Sequence, residues 1–413
     1  MVNLNLSKIS VAALCVAAGV VAPQASARDG IIDFLKEGEL DLSLRHRVEI
    51  VDQDAFDRTA SASTLQTLVG YKSAKLANFH VYGQFRYVTN LGTSNFNNTI
   101  NGRTDLPVVA DPEAAEIDQG YIAYTGIPGT LITVGRRKLA WGNKRFVSKL
   151  VWRQNHRSFD GVTLETKLSD RLDFKYSYAF NVNRAFTNDS PVGNFDANIH
   201  MANLDIDLGT IGKTTVYGYS LDMNDAFALP LSTQTFGANF TGKQAISQNV
   251  KIGYTLEGAT QKDIKDNPFD VSVEYYRIEP SIQVGAFQFR AGLEVLGGDG
   301  TRGFQTPLAL LHAFNGWADQ FVVTPANGLE DYYAEAKYRF NNTDTFFDGM
   351  NVTVAYHDFS SDINGQHYGD EFNAAISKKL FGKVTALAKI AVYNADEFST
   401  DTTKFWFQLS ASF

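Results

Sequence analysis

Cysteine is almost missing from this chain. The single one, Cys15, lies inside a segment with the features of an export signal. Lys8 is followed by an apolar run from Ile9 to Val21, then Pro23, then the small-residue tripeptide Ala25-Ser26-Ala27 before Arg28. Cleavage after residue 27 is therefore expected, leaving a mature chain at 28–413 without a thiol, a disulfide or a thiolate metal site. The apolar run is shorter than the roughly 20 residues a spanning helix needs, and no longer one occurs later, so no helix is expected to cross a membrane. A basic surplus is also missing: the formal net charge is −8, which removes the usual electrostatic case for nucleic-acid binding. Proline is scarce, at 10 residues, whereas Gly 33 and 13% aromatics are plentiful, a balance better suited to strands and turns than to helices.

What fills the chain is a period of two. In Glu39–Ile50, Leu40, Leu42, Leu44, Val48 and Ile50 share one face, and charged residues hold the other. Phe174, Tyr176, Tyr178 and Phe180 repeat the pattern, as do Phe287, Phe289, Ala291, Leu293 and Val295, and then Tyr332, Ala334, Ala336, Tyr338 and Phe340. A soluble sandwich also alternates. Here the segments run about 9–11 residues, the length of a tilted membrane strand, and their apolar faces end in Tyr or Phe like interfacial girdles.

About eighteen strands are predicted, near 39–50, 63–73, 79–89, 115–125, 130–138, 159–168, 170–181, 198–208, 213–222, 233–241, 248–258, 270–279, 286–296, 331–341, 350–359, 370–380, 383–394 and 403–413. Every second link is short, including Ala74–Asn78, Gly126–Gly129, Pro280–Gly285 and Phe381-Gly382, while 90–114, 139–158, 182–197 and 297–330 fall in the other set. Short periplasmic turns and long outer loops are the expected asymmetry of an all-β, up-and-down antiparallel transmembrane barrel. Residues 28–38 form a periplasmic lead-in, with 29–37 either a short helix or an irregular segment. The last strand places Phe405, Phe407, Leu409, Ala411 and Phe413 on one face, and the terminal Phe413 is expected to engage the barrel-assembly machinery.

Strand parity turns Arg45, Arg47, Arg86, Lys175, Lys251, Arg290, Lys337, Arg339, Lys389 and Lys404 into the lumen. It turns Glu39, Asp41, Glu49, Glu165, Asp173, Asp205, Glu257, Glu294 and Glu335 inward as well, so these cations are either paired structural charge or solute-binding groups. Arg136, Arg145, Arg153 and Arg157 differ, because they gather with Lys138, Lys144 and Lys149 in one segment that meets a carboxylate only at Asp160. That segment is expected either to fold inward as a basic constriction or to lie on the surface as a loop. The acidic stretches 52–57 and 358–370 suit solvated outer loops or cation-bridged contact with lipopolysaccharide. The histidines are scattered, and no serine-centred glycine elbow or metal-spaced histidine pair occurs, so no enzyme and no cofactor is expected.

Two blocks are more specific than the barrel pattern. One is Val134-Gly135-Arg136-Arg137-Lys138-Leu139-Ala140-Trp141-Gly142 running on to Trp152-Arg153-Gln154-Asn155-His156-Arg157-Ser158-Phe159-Asp160-Gly161. The other is Gly303-Phe304-Gln305-Thr306-Pro307-Leu308 followed by His312-Ala313-Phe314-Asn315-Gly316-Trp317-Ala318-Asp319. Together they resemble the signature blocks of the alginate-export family of outer-membrane porins, and the resemblance covers essentially the whole mature chain. It implies a Gram-negative outer-membrane barrel with loops in or over the lumen, passing anionic or sugar-like solutes, in one member a polyuronate along an arginine-lined constriction. On that pattern Arg136 and Arg153 match the pore arginines. The family commonly has glutamine after the first, where this chain has Arg137. The expected partners are outer-membrane lipid, lipopolysaccharide and the solute, and the expected state is a monomer. A general or substrate-selective uptake porin unrelated to alginate fits the same architecture.

Overall fold

The computed structural model describes residues 33–341 and 345–413. The expected signal segment lies outside the described residues, and so does the start of the lead-in. Of the expected helix, Asp33–Lys36 form a single turn, tied to the next hairpin by the Ala74 amide on the Phe34 carbonyl at 3.1 Å.

Eighteen strands follow: β1 Glu39–Gln53, β2 Ala60–Lys72, β3 Phe79–Asn95, β4 Ala114–Tyr124, β5 Thr130–Arg137, β6 Ser158–Ser169, β7 Leu172–Asn183, β8 Asn194–Asp207 and β9 Lys213–Met223. The second half is β10 Thr233–Ala245, β11 Val250–Asp263, β12 Ser272–Val284, β13 Phe287–Leu296, β14 Leu329–Arg339, β15 Asn351–Ser360, β16 His367–Leu380, β17 Val384–Ala395 and β18 Thr402–Ser412. Each pairs antiparallel with its chain neighbours, and β1 pairs with β18 from Ser43↔Ser412 to Gln53↔Thr402, which closes the sheet. Closure satisfies every edge, the condition for a sheet in lipid.

Burial is inverted relative to a soluble protein. Phe180 is 54% exposed on the outer wall, and Phe236, Phe289, Tyr332 and Phe372 are exposed on other strands, whereas Arg47, Glu49, Arg86, Glu257 and Glu371 are buried inside. The alternation therefore does sort apolar groups to the lipid and charge to the lumen. Aromatic pairs such as Phe79–Tyr124 (4.6 Å) and Phe287–Tyr338 (4.4 Å) line the rim that carries the short links.

Two local differences from the sequence reading have physical causes. β3 runs to Asn95 instead of stopping at residue 89, through Thr89, Asn90, Thr93 and Ser94. These residues read as loop by polarity, yet beyond the hydrocarbon a ladder tolerates polar side chains on both faces. Pro280 was expected to open a turn, but β12 continues to Val284. Proline has no N–H to donate; accordingly the ladder to β13 skips from Ile278↔Leu293 to Ser281↔Arg290, while Pro280 keeps its place opposite Tyr254.

Candidate constriction

The 138–157 segment leaves β5 at the rim with long links and folds into the barrel. Its apolar residues require this: Leu139, Trp141, Phe146 and Val147 are buried, with the Phe146 ring 4.9 Å from Tyr217, 5.6 Å from Tyr275 and 6.1 Å from Phe304. Burying one such ring contributes about 2–3 kcal/mol. The 297–328 segment enters from the opposite wall, and the two join backbone to backbone, Ser148 N–H to Leu308 O at 2.9 Å and Leu310 N–H to Lys144 O at 3.0 Å. Residues 96–113 supply a third support, where Asp111 accepts the Gln154 amide at 2.6 Å and the Pro112 carbonyl accepts Asn155 Nδ2 at 2.8 Å.

The inserted segments reach most of the wall. Asn143 donates to Glu257 on β11 (2.6 Å), Gln154 to Thr64 Oγ1 on β2 (2.8 Å), and Arg86 on β3 donates to Asn155 (3.0 Å). Asn315 donates to Glu294 on β13 (2.9 Å) and Asp331 on β14 (3.2 Å), and Glu371 on β16 accepts the Trp317 and Ala318 amides. Trp152 lies edge-on to Trp406 on β18 at 5.6 Å. The lumen is thus narrowed by a folded insert, and the expectation of an inward segment describes where 138–157 lies.

Most of the arginines named from sequence are matched by carboxylates. Arg153 grips Glu49 with both Nη atoms at 3.2 Å and lies 3.6 Å from Asp111 and 3.7 Å from Asp319. Arg47 spreads over Trp152, 4.0 Å from the ring centroid, and donates to Gln408. Arg86 pairs with Asp118 and with Glu116 at 2.6 Å, Arg145 with Glu294 at 3.1 Å, and Arg290 with Glu335 at 2.7 Å and Glu279 at 3.0 Å. In a low-dielectric interior such pairing is what permits the charge to be buried at all.

Arg45 and Arg157 are buried on carbonyls instead. Arg45 holds Val151 O (2.7 Å) and Arg153 O (2.5 Å), and Arg157 holds Ala309 O (3.1 Å) and Pro307 O (2.9 Å), so each clamps the insert. Arg339 is exposed at the far end of β14. Among the described residues, Lys144, Lys149, Arg157 and Arg184 form no carboxylate ion pair.

One expectation is corrected. Arg136 does not face the lumen: Thr133 is buried and Val134 is 53% exposed, so the period of two carries Arg136 to the outer wall and Arg137 inward. Arg136 forms a bidentate pair with Asp160 on β6, and Arg137 meets Glu165 at 2.8 Å with Tyr121 beside it. The preceding Gly135 has φ +127°, and a Cβ there would stand 2.4 Å from Gly120 O on the neighbouring β4.

Sequence reasoning missed the histidines. His156 contacts Asp118 Oδ2 through Nδ1 (3.1 Å) and Gln66 through Nε2 (3.1 Å); His312 contacts Asp319 through Nδ1 (2.8 Å) and Lys389 Nζ through Nε2 (2.7 Å). Burial pushes the His156 imidazole down to about 3 and His312 well below its ordinary value, despite those carboxylates. The placement of both residues beside arginine- and tryptophan-rich blocks was the only signal in the sequence.

A closed eighteen-stranded wall with an apolar outside, a charged inside and loops folded into its bore defines an outer-membrane porin. The model of the alginate export family matches residues 38–262, more than half of the chain, and the chain belongs to that family. It is a Gram-negative outer-membrane channel protein. Solved structures share the fold at low identity: Acinetobacter baumannii OccAB4 (16% identity, TM-score 0.72, covering 91% of this chain and 98% of that one) and Pseudomonas aeruginosa OccK9, also called OpdG (12%, 0.74, 92% and 99%). Pseudomonas aeruginosa OpdK, solved with vanillate, is a third (13%, 0.71, 92% and 99%). No curated protein matches the chain.

Proposed function

We propose that this barrel is a passive channel for small anionic or sugar-like solutes, uronate-sized carboxylates among them, selected at the insert formed by 138–157 and 297–328. The observation that carries this reading is the pair of backbone hydrogen bonds joining the two segments across the bore, which narrows the passage and favours small solutes over a polymer. Diffusion through it follows the gradient, and the uncompensated Lys144, Lys149 and Arg184 raise the local concentration of anions at the mouth. OpdK, which shares the fold, was solved with vanillate, a small aromatic carboxylate, in keeping with this class of solute. A second reading, passage of an acidic polysaccharide, is favoured by the family match. One chain closes its own sheet, in keeping with a monomeric channel, and Phe413 exchanges backbone hydrogen bonds with Leu42.

The test is the reversal potential in a planar bilayer under a salt gradient, with galacturonate or polyuronate added, for the natural channel and for the Lys144→Gln/Lys149→Gln variant. Anion selectivity that galacturonate competes for and the variant weakens supports the small-solute reading. Block by polyuronate alone favours the polymer reading, and cation selectivity overturns both.

A further inference from the structure

The two histidines of the insert make similar arrangements against nearby parts of the wall, His156 against β2 and β4 and His312 against β17 and β18. In each, Nδ1 faces an aspartate and Nε2 faces a group that can only donate: the Gln66 amide nitrogen for His156 and the Lys389 ammonium for His312. A nitrogen that accepts from an ammonium carries no proton, so the docked His312 is the neutral Nδ1–H tautomer donating to Asp319; the same reasoning gives the neutral tautomer for His156. We infer that His156 and His312 are positioning residues that latch the insert to the barrel wall while neutral and release it when protonated, making conduction through this channel acid-sensitive.

The surroundings of His312 oppose a second positive charge. Lys389 on β17 lies between Trp317 (3.6 Å), Trp152 (4.5 Å) and Trp406 (5.5 Å), and the imidazole stacks on Trp152 at 3.9 Å. Arg153 and Lys404 share Asp319 with the imidazole at 3.7 and 3.6 Å, and Arg47 covers the same Trp152 ring. The carboxylates nearby are engaged: Asp319 by these cations, Glu49 and Asp111 by Arg153, and Glu371 on β16 by the Trp317 and Ala318 amides.

His156 sits among Asp118 on β4, Lys138 after β5 (Nζ 3.3 Å from Nδ1), Arg86 on β3, which pairs with Asp118, and Arg45 on β1. Protonating either ring places an N–H where a donor already points. On release the rings return to an ordinary value near 6.5. A base held below its free value stabilises docking above that value and loses the effect as pH falls. The released-to-docked ratio therefore rises about tenfold per pH unit below about 6.5 for one imidazole and about a hundredfold for two. This inference does not depend on which solute passes.

The experiment is single-channel recording of the purified barrel at pH 7.5 and 4.5, comparing the natural chain with His156→Gln/His312→Gln and with Lys389→Met. Closure of each barrel is checked by its heat-dependent electrophoretic mobility. The natural channel is expected to switch at acid pH to a larger conductance level, with open occupancy growing by at least a hundredfold. The double variant is expected to show equal occupancy at both pH values, and Lys389→Met, which removes the cation facing His312, a smaller acid response. Constant occupancy in the natural channel, or an undiminished acid response in the double variant, overturns the latch. If the double variant does not close, an acid response in Lys389→Met equal to that of the natural chain overturns it instead.

Discussion

Arg136 and Asp160 stand directly opposite each other on β5 and β6, Nε to Oδ1 at 2.7 Å and Nη2 to Oδ2 at 2.9 Å, on the face of the wall turned away from the bore. Asn181 and Asn183 also donate to this carboxylate, at 2.9 and 3.2 Å. The first arginine of the Gly-Arg-Arg block is therefore a stitch between strands. The second, Arg137, is the one that faces inward, where it pairs with Glu165.

Arg136→Gln is accordingly expected to leave the reversal potential of the channel unchanged. It removes a bidentate pair that is about one-fifth exposed, so a loss of roughly 1–2 kcal/mol is expected, seen as a lower temperature for barrel unfolding by electrophoretic mobility. A shifted reversal potential would return Arg136 to the pore.

Arg153→Gln is expected to do the opposite. It strands Glu49 and Asp111, each buried and, among the described residues, paired with no other cation except the Arg47 guanidinium, 4.0 Å from Asp111. Breaking a buried pair costs about 3–5 kcal/mol, here charged against docking of the insert and not against the wall. Larger and noisier single-channel currents with reduced anion preference should follow, and quiet currents of unchanged size would contradict this account.

Phe146→Ala tests whether the insert is held by its own apolar contacts. The ring touches Tyr217, Tyr219, Tyr275 and Phe304, and its truncation is expected to cost about 3–5 kcal/mol. Conductance should rise while the barrel still closes, because Phe146 meets lumen-facing side chains of the wall and Phe304 of the second inserted segment, not the strand ladder. Failure of closure would place this residue in the fold of the wall.

Gly161→Ala should damage the wall itself. A Cβ at Gly161 would stand 1.9 Å from the Tyr178 carbonyl oxygen and 2.8 Å from Ala179 Cα, beside the register shift between β6 and β7. The expected result is poor recovery of heat-modifiable barrel from membranes. Normal recovery would mean that the bulge relaxes without loss.

Much of this molecule was readable from the chain. Leu40, Leu42 and Leu44 against Asp41, Ser43 and Arg45 state which face meets lipid, since successive strand side chains point to opposite sides whatever the rest of the protein does. The number of strands and the alternation of short and long links follow from the same local rule. The rule slipped where polarity and hydrogen bonding part company, at Thr89–Asn95 and at Pro280.

The interior of the bore was a different matter. Arg157 read as a pore cation and Arg136 as another, yet one is spent on the carbonyls of Pro307 and Ala309, some 150 residues along the chain, and the other lies outside. Parity correctly turned Arg45, Arg86 and Lys389 inward, but not that Arg45 would hold Val151 O, Arg86 Asp118, or Lys389 His312. By itself the sequence determined the wall: a two-residue period is a property of each strand alone, and a sheet in lipid has only closure as its solution. The tertiary structure alone decided which charges are neutralised and which are left without a carboxylate partner, because that depends on how segments far apart in sequence dock inside the closed wall.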